Sequence, residues 1–367
     1  MNIDPYVAAL VAGCVVAFLA STLINAGLKR LPATFPAGDL RGSPGKAPPV
    51  GGFALLIGFA LAPFIAAAVS DEASIYFGPK HYEFFGYLAA VGLVFLTGVI
   101  DDWRAIKPWQ KIGGQVIAGC AVFAAGYHLE VIGPPWGGEI HLGILALPVT
   151  LIWVVFFTNA LNLIDGKDGL ATGVAVFAAA ALAAVAANTE HTAVALLFVG
   201  LAGAGLGFLP FNLPPASMIL GDNGSLVFGF VLSTLSIRGA TGAEDAVFLS
   251  VPFLAMGFPV FDTLLSTTRR MLAGRSPFSG DLDHIHHRFE ALSDSPRVSL
   301  GLLYVLSASF AAAALATHYL EGLAIEAGIF FAVVGVVTAV IWRLGYTGTL
   351  WNSDRVVSLR RRAHRGR

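Results

Sequence analysis

Eleven apolar stretches, each close to twenty residues, follow one another along the chain with little between them. They run over about 6–28, 50–70, 84–100, 113–128, 143–163, 169–187, 192–210, 219–237, 247–265, 298–317 and 323–345. A helix rises about 1.5 Å per residue, and the hydrocarbon core of a bilayer is about 30 Å thick, so each stretch is enough for one crossing. Lipid offers no partner to an unpaired backbone group, which leaves spanning helices as the economical solution. Composition closes the soluble alternative: of 367 residues, 56% are hydrophobic and 12% charged, against about 45–50% and 25% in soluble domains. Disorder, collagen-like repeats and a disulfide scaffold are excluded too, and both Cys14 and Cys120 lie inside apolar runs. The expectation is an all-α polytopic membrane protein of about eleven transmembrane helices. One transmembrane domain covers 1–345, and a basic tail over 346–367 fixes topology beside anionic headgroups.

Charge sets the orientation. The first run follows Asp4 and precedes Lys29 and Arg30, whereas a cleavable leader begins with positive charge. With alternating crossings, all but Lys80 and Arg238 of the 22 lysines and arginines fall on one side. The positive-inside rule makes that side cytoplasmic, with the N-terminus outside and the C-terminus inside. The same inner loops collect the carboxylates, asparagines and histidines, so function is expected on the cytoplasmic face.

Asp101 and Asp102 end the third stretch. Acids at a helix C-terminus oppose its dipole, so a bound cation or Arg104, Lys107 and Lys111 must compensate them. Asn159, Asn162, Asp165 and Asp168 recur every third residue at the edge of the fifth stretch. Steps of three drift about 60° on a straight helix, so convergence on one site requires a break, which Gly166 and Gly169 allow. Gly221-Asp222-Asn223-Gly224-Ser225 opens the eighth stretch, where Asp and Ser are also ordinary helix caps. Asp262 lies among apolar residues, a placement that marks a functional group or a pairing with Arg269. The longest inner loop carries His284, His286, His287 and Arg288. With no cysteine beside them, phosphate or sugar binding suits these better than zinc. Carboxylate and amide oxygens from several inner segments select magnesium, with manganese as the alternative. Oxygen donors beside cations at a membrane surface point to transfer of a phosphorylated group to or from a lipid.

The ordered set Asp101-Asp102, Lys107-Pro108, Lys111, Gln115, Asn159…Asn162…Asp165-Gly166…Asp168-Gly169-Leu170, Gly221-Asp222…Gly224-Ser225, Phe258-Pro259…Asp262 and Ser276-Pro277-Phe278…His284…His286-His287-Arg288 resembles the polyprenyl-phosphate N-acetylhexosamine-1-phosphate transferases, glycosyl transferase family 4. The His-x-His-His-Arg form is similar to the branch that uses UDP-GlcNAc. Two positions depart from the family pattern: Pro48-Pro49-Val50 lacks an arginine, and Lys167 replaces an apolar residue.

The resemblance implies a multi-pass enzyme of the bacterial cytoplasmic membrane. It would move a sugar 1-phosphate, GlcNAc-1-phosphate first among the choices, from a UDP-sugar to undecaprenyl phosphate and release UMP. The product would begin a lipid-linked envelope glycan. Asp222 and Asn162 would hold Mg2+. Asp101, Asp102, Asp165 and Asp168 would serve catalysis, and Lys107, Lys111, Asn159, Asp262, His284, His286, His287 and Arg288 would bind substrate. Direct displacement is preferred, with a covalent aspartyl intermediate as the alternative. A phospho-MurNAc-pentapeptide transferase is the nearest rival, and a secondary transporter the rival of another class. Membrane lipids and a second copy of the chain are candidate partners; no nucleic acid is expected.

Overall fold

The structure, a computed structural model, describes residues 3–30, 47–77, 82–133, 138–239, 246–272, 274, 285, 288–289, 295–320 and 323–343. Its helices are α1 (Pro5–Leu28), α2 (Gly51–Val69), α3 (Asp71–Phe77), α4 (Tyr82–Trp103), α5 (Pro108–Ala124), α6 (Ala146–Leu163) and α7 (Leu170–Asn188). They continue as α8 (Thr192–Asn212), α9 (Gly221–Gly239), α10 (Ser250–Ala255), α11 (Gly257–Leu272), α12 (Pro296–Tyr319) and α13 (Leu323–Arg343). Local chemistry accounts for several boundaries. Asp4 accepts the amides of Tyr6 and Val7 at 3.0 Å, and Pro5 opens α1. Pro108 and Pro296 stand in the first turns of α5 and α12, where a missing N–H is harmless.

Among the described residues, seven helices are long and apolar enough to cross a membrane: those over 5–28, 51–69, 84–103, 143–163, 170–188, 192–212 and 296–319. The protein is thus an all-α, multi-pass membrane protein. The other apolar stretches also form helix, and their polar content has a structural reason. α9 carries Asn223, Ser225, Ser233, Thr234 and Ser236, yet almost every residue along it is buried. It runs through the middle of the bundle against α2, α4, α6, α7 and α8, shielded from lipid, so its hydroxyls meet only protein. Thr234 bonds back to Phe230 O at 2.7 Å and meets Tyr87 at 2.9 Å, while Trp153 donates to Ser233 O at 2.9 Å.

Two features depart from the eleven simple stretches. The ninth is divided at Met256 into α10 and α11. The fourth stretch forms α5, which starts at Pro108 rather than near 113, bringing Lys111 onto the helix. Three short strands, β1 (Val131–Gly133), β2 (Ile140–His141) and β3 (Ala246–Phe248), form a sheet of order β2-β1-β3 at the end of the bundle away from Asp101 and Asp222. β1 is antiparallel to β2 and parallel to β3.

Candidate functional site

Four helices deliver one cluster. Lys111, in the first turns of α5, points its ammonium at Asp101 Oδ2 (3.0 Å), Asn162 Oδ1 (2.9 Å) and Asp222 Oδ2 (2.9 Å). These oxygens come from the end of α4, the end of α6 and the start of α9. Asn162 then donates to Asp222 Oδ1 at 2.7 Å and to Ser225 Oγ at 2.8 Å. Asp101 also accepts the Ile106 amide at 3.0 Å.

Asp102 has a different role from its neighbour. It accepts the main-chain amides of Asp222 (3.0 Å) and Asn223 (2.9 Å), together with the Asn223 side chain. It therefore caps α9 from another helix, where the unpaired amides of a helix start favour negative charge. Two glycines make this approach possible. A Cβ on Gly98 would lie 2.5 Å from the Asn223 backbone, and Gly221 turns the chain into α9 with φ +76°. Both acids at the end of α4 are thereby compensated: Asp101 by Lys111, Asp102 by the start of α9.

Asp165 lies in the turn between α6 and α7, half-buried. Enclosure by protein, with the Asp222 and Asp102 carboxylates nearby, pushes its carboxyl well above the ordinary value despite the Gly221 amide. Asp168 in the same turn accepts the Ala216 amide at 3.0 Å. Beside it a pocket of about 660 Å³ is lined by Gly166, Lys167, Asp168, Pro214, Arg297 and neighbouring residues. Lys167 donates to Ser299 at 3.0 Å and Arg297 to Pro214 O at 3.1 Å, so two cations wall this pocket.

Three residues expected to bind substrate make bonds outside the Lys111 cluster. Lys107 is exposed, stacked 4.9 Å over Trp109, outside the Lys111 cluster. Asn159 exchanges amide bonds with buried Gln115 at 2.7 and 3.3 Å and also donates to Val155 O, so its amide is used in joining α5 to α6. Asp262 is 1% exposed, and its carboxylate accepts the Ile285 amide at 2.8 Å. Arg288 is half-buried; His284, His286 and His287 lie outside the described residues.

Residues that sequence reasoning passed over hold the frame. Asn212 accepts from Gly169 N (3.2 Å) and Thr172 (2.8 Å), and Tyr304 donates to Gly169 O at 2.6 Å. Nothing local in Phe211-Asn212-Leu213 marks that task, because the partners are about forty residues away.

The donor set is wholly oxygen, which fits a hard divalent cation. Among the described residues no three carboxylate, imidazole or thiolate groups are gathered tightly enough to hold a metal alone.

The sequence profile described as glycosyl transferase family 4 matches residues 84–240, the segment that supplies Asp101 through Asp222. The decaprenyl-phosphate N-acetylglucosaminephosphotransferase of Mycolicibacterium smegmatis is 33% identical over 324 residues, covering 80% of this chain and 78% of that protein. The undecaprenyl-phosphate alpha-N-acetylglucosaminyl 1-phosphate transferase of Thermotoga maritima is 32% identical over 257 residues, 68% of this chain and 71% of that protein. A phospho-N-acetylmuramoyl-pentapeptide-transferase of Streptococcus suis matches over a shorter stretch, 36% identical across 41% of this chain and 50% of its own length. With one cluster built from the matched segment and relatives aligned along most of their length, the chain belongs to glycosyl transferase family 4, among the polyprenyl-phosphate N-acetylhexosamine-1-phosphate transferases.

Proposed function

We propose that the protein transfers GlcNAc-1-phosphate from UDP-GlcNAc to undecaprenyl phosphate and releases UMP, using Mg2+ at the cytoplasmic face of a bacterial cytoplasmic membrane. The observation that carries this reading is the convergence of Lys111, Asp101, Asn162 and Asp222. They meet at one end of a multi-pass bundle, and the relatives are named as decaprenyl- and undecaprenyl-phosphate N-acetylglucosamine phosphate transferases. The positive-inside charge pattern supports the cytoplasmic side and the eleven-span layout.

An oxygen of the lipid phosphate attacks the sugar-bearing phosphorus. The new P–O bond forms as the bond to the bridging oxygen breaks, and that electron pair leaves with UMP. The lipid phosphate is already anionic at neutral pH, so no strong base is needed, which favours direct displacement over an aspartyl intermediate. Lys111 sets a positive charge among the carboxylates where diphosphate charge collects. Asp222 and Asn162 would hold the cation, which supplies Lewis-acid charge neutralisation when bound. Asp102, engaged by three donors, keeps the start of α9 in place. The pocket beside Asp168, with Lys167 and Arg297, has the size and charge for the donor's nucleotide portion.

The test is UMP release by purified protein given undecaprenyl phosphate and a panel of UDP-sugars, with and without Mg2+. One UMP per lipid-linked GlcNAc-1-phosphate is expected. A response confined to UDP-MurNAc-pentapeptide would move the protein to the neighbouring branch, and no release with any donor would overturn the reading.

A further inference from the structure

α11 is amphipathic in the reverse sense for a membrane helix. Asp262, Ser266 and Arg270, spaced four apart and so on one face, are 1%, 2% and 8% exposed. Leu264, Met271 and Leu272 point outward, each at least half exposed. Polar groups are thus turned into the protein and apolar ones out, so the inward stripe must have protein partners, since a buried unpaired carboxylate is costly. Ser266 takes a bond from Arg270 at 3.3 Å. Asp262 reaches beyond its own helix to the main-chain amide of Ile285, 2.8 Å away and 23 residues on.

Ile285 is itself fully buried, and Phe289, four residues later in the sequence, packs on the same core. Among the described residues, Ile285 and Phe289 anchor this part of the chain through apolar packing, and Asp262 adds a charge-assisted bond to the Ile285 backbone. In the sequence, Ile285 stands between His284 and His286, with His287 and Arg288 following. α11 packs against α6, the helix whose last turn carries Asn162.

We propose that Asp262 is a positioning residue: by accepting the Ile285 amide it seats the backbone at Ile285, the residue that follows His284 and precedes His286 in the sequence, for the transfer reaction. It does not touch substrate. Its effect on turnover rests on the transferase reading above; the seating itself does not.

Hydrogen exchange on the full-length protein in detergent, followed by mass spectrometry of the peptide containing Ile285, reads the seat directly. In the native chain this peptide is expected to exchange slowly. Asp262→Ala is expected to speed that exchange on the order of tenfold to a hundredfold while peptides of α4 and α9 stay unchanged. Asp262→Asn keeps an oxygen acceptor and should remain near native. In the UMP-release assay the alanine variant should raise donor KM about tenfold with a smaller change in kcat, and asparagine should restore it.

Free exchange at Ile285 in the native chain, or full protection in Asp262→Ala, overturns the seat. So does an alanine variant that frees Ile285 yet keeps native KM and kcat, or an asparagine variant that stays protected but loses activity as alanine does. A native chain that is protected, loosened by alanine and inactive with every donor upholds the seat and refutes the transferase reading. Should Asp262→Ala fail to fold, native exchange and the asparagine variant decide.

Discussion

Asp102 and Asp222 meet through a backbone bond: the amide of Asp222 donates to Asp102 Oδ1 at 3.0 Å. Two acids are brought close because one of them caps the helix that presents the other. The start of α9 is thereby tied to the end of α4, and Lys111 closes the ring by bonding Asp101 and Asp222 together.

That ring depends on the lysine's charge. Lys111→Met should lower turnover on the order of a hundredfold and destabilise the fold by about 2 kcal/mol, discounted because water reaches both Lys111 and Asp222. Lys111→Arg should restore stability better than activity, since a planar fork cannot present one nitrogen to three oxygens. Thermal unfolding beside the UMP assay separates the two effects.

Removal of the divalent cation should stop the reaction. Turnover is expected to vanish in excess EDTA and return with Mg2+ or Mn2+. Asp222→Ala should be inactive under all three conditions while remaining folded in detergent, with a lowered melting temperature because Lys111 and Asn162 lose a partner; Asp222→Asn should be nearly as damaging to turnover, because shape without charge does not hold the ion.

Close approach of α4 to α9 can be tested with a matched pair. Gly98→Ala places a methyl 2.5 Å from the Asn223 backbone, whereas Gly92 on the same helix has nothing within 4 Å of its added Cβ. Gly98→Ala should cost about 1–3 kcal/mol and most of the activity. Gly92→Ala should be neutral or stabilising by up to about 1 kcal/mol. Equal behaviour of the two would refute the contact.

Asp165 predicts a pH signature. Its carboxyl is raised by enclosure and by Asp222 and Asp102, so the folded state holds that proton more tightly than the unfolded chain. Native stability in EDTA should therefore fall as pH rises from the ordinary carboxylate range through the raised value. Asp165→Asn should lack that fall, so its advantage grows with pH and disappears in acid. Melting temperature against pH for both proteins checks this; parallel curves would contradict it.

Individual helices were legible because twenty apolar residues are a local signal. Asp101, Asp165 and Asp222 were legible as chemistry, since acids at membrane edges stand out against such a background. Their meeting was not. Lys111 lies 10, 51 and 111 residues from the oxygens it bonds, and no periodicity spans such gaps. Asn159 and Asp262 show the same limit: they stand out as polar groups in apolar helices, but nothing local says that they bond Gln115 and Ile285. The strands were invisible because two or three residues are too few to alternate.

Those strands have a mechanical consequence for the far end of the molecule. β1 and β2 lie between α5 and α6, and β3 follows α9, so pairing Val131 with both His141 and Ala246 fastens three helices at one end. The opposite ends of the same helices carry Lys111, Asn162 and Asp222. Each acts as a lever about 25 Å long, so a tilt of about 5° at the sheet would move the tips by about 2 Å, enough to part the ammonium from its oxygens. The aim of the tips that carry Lys111, Asn162 and Asp222 is set at the opposite end of the bundle.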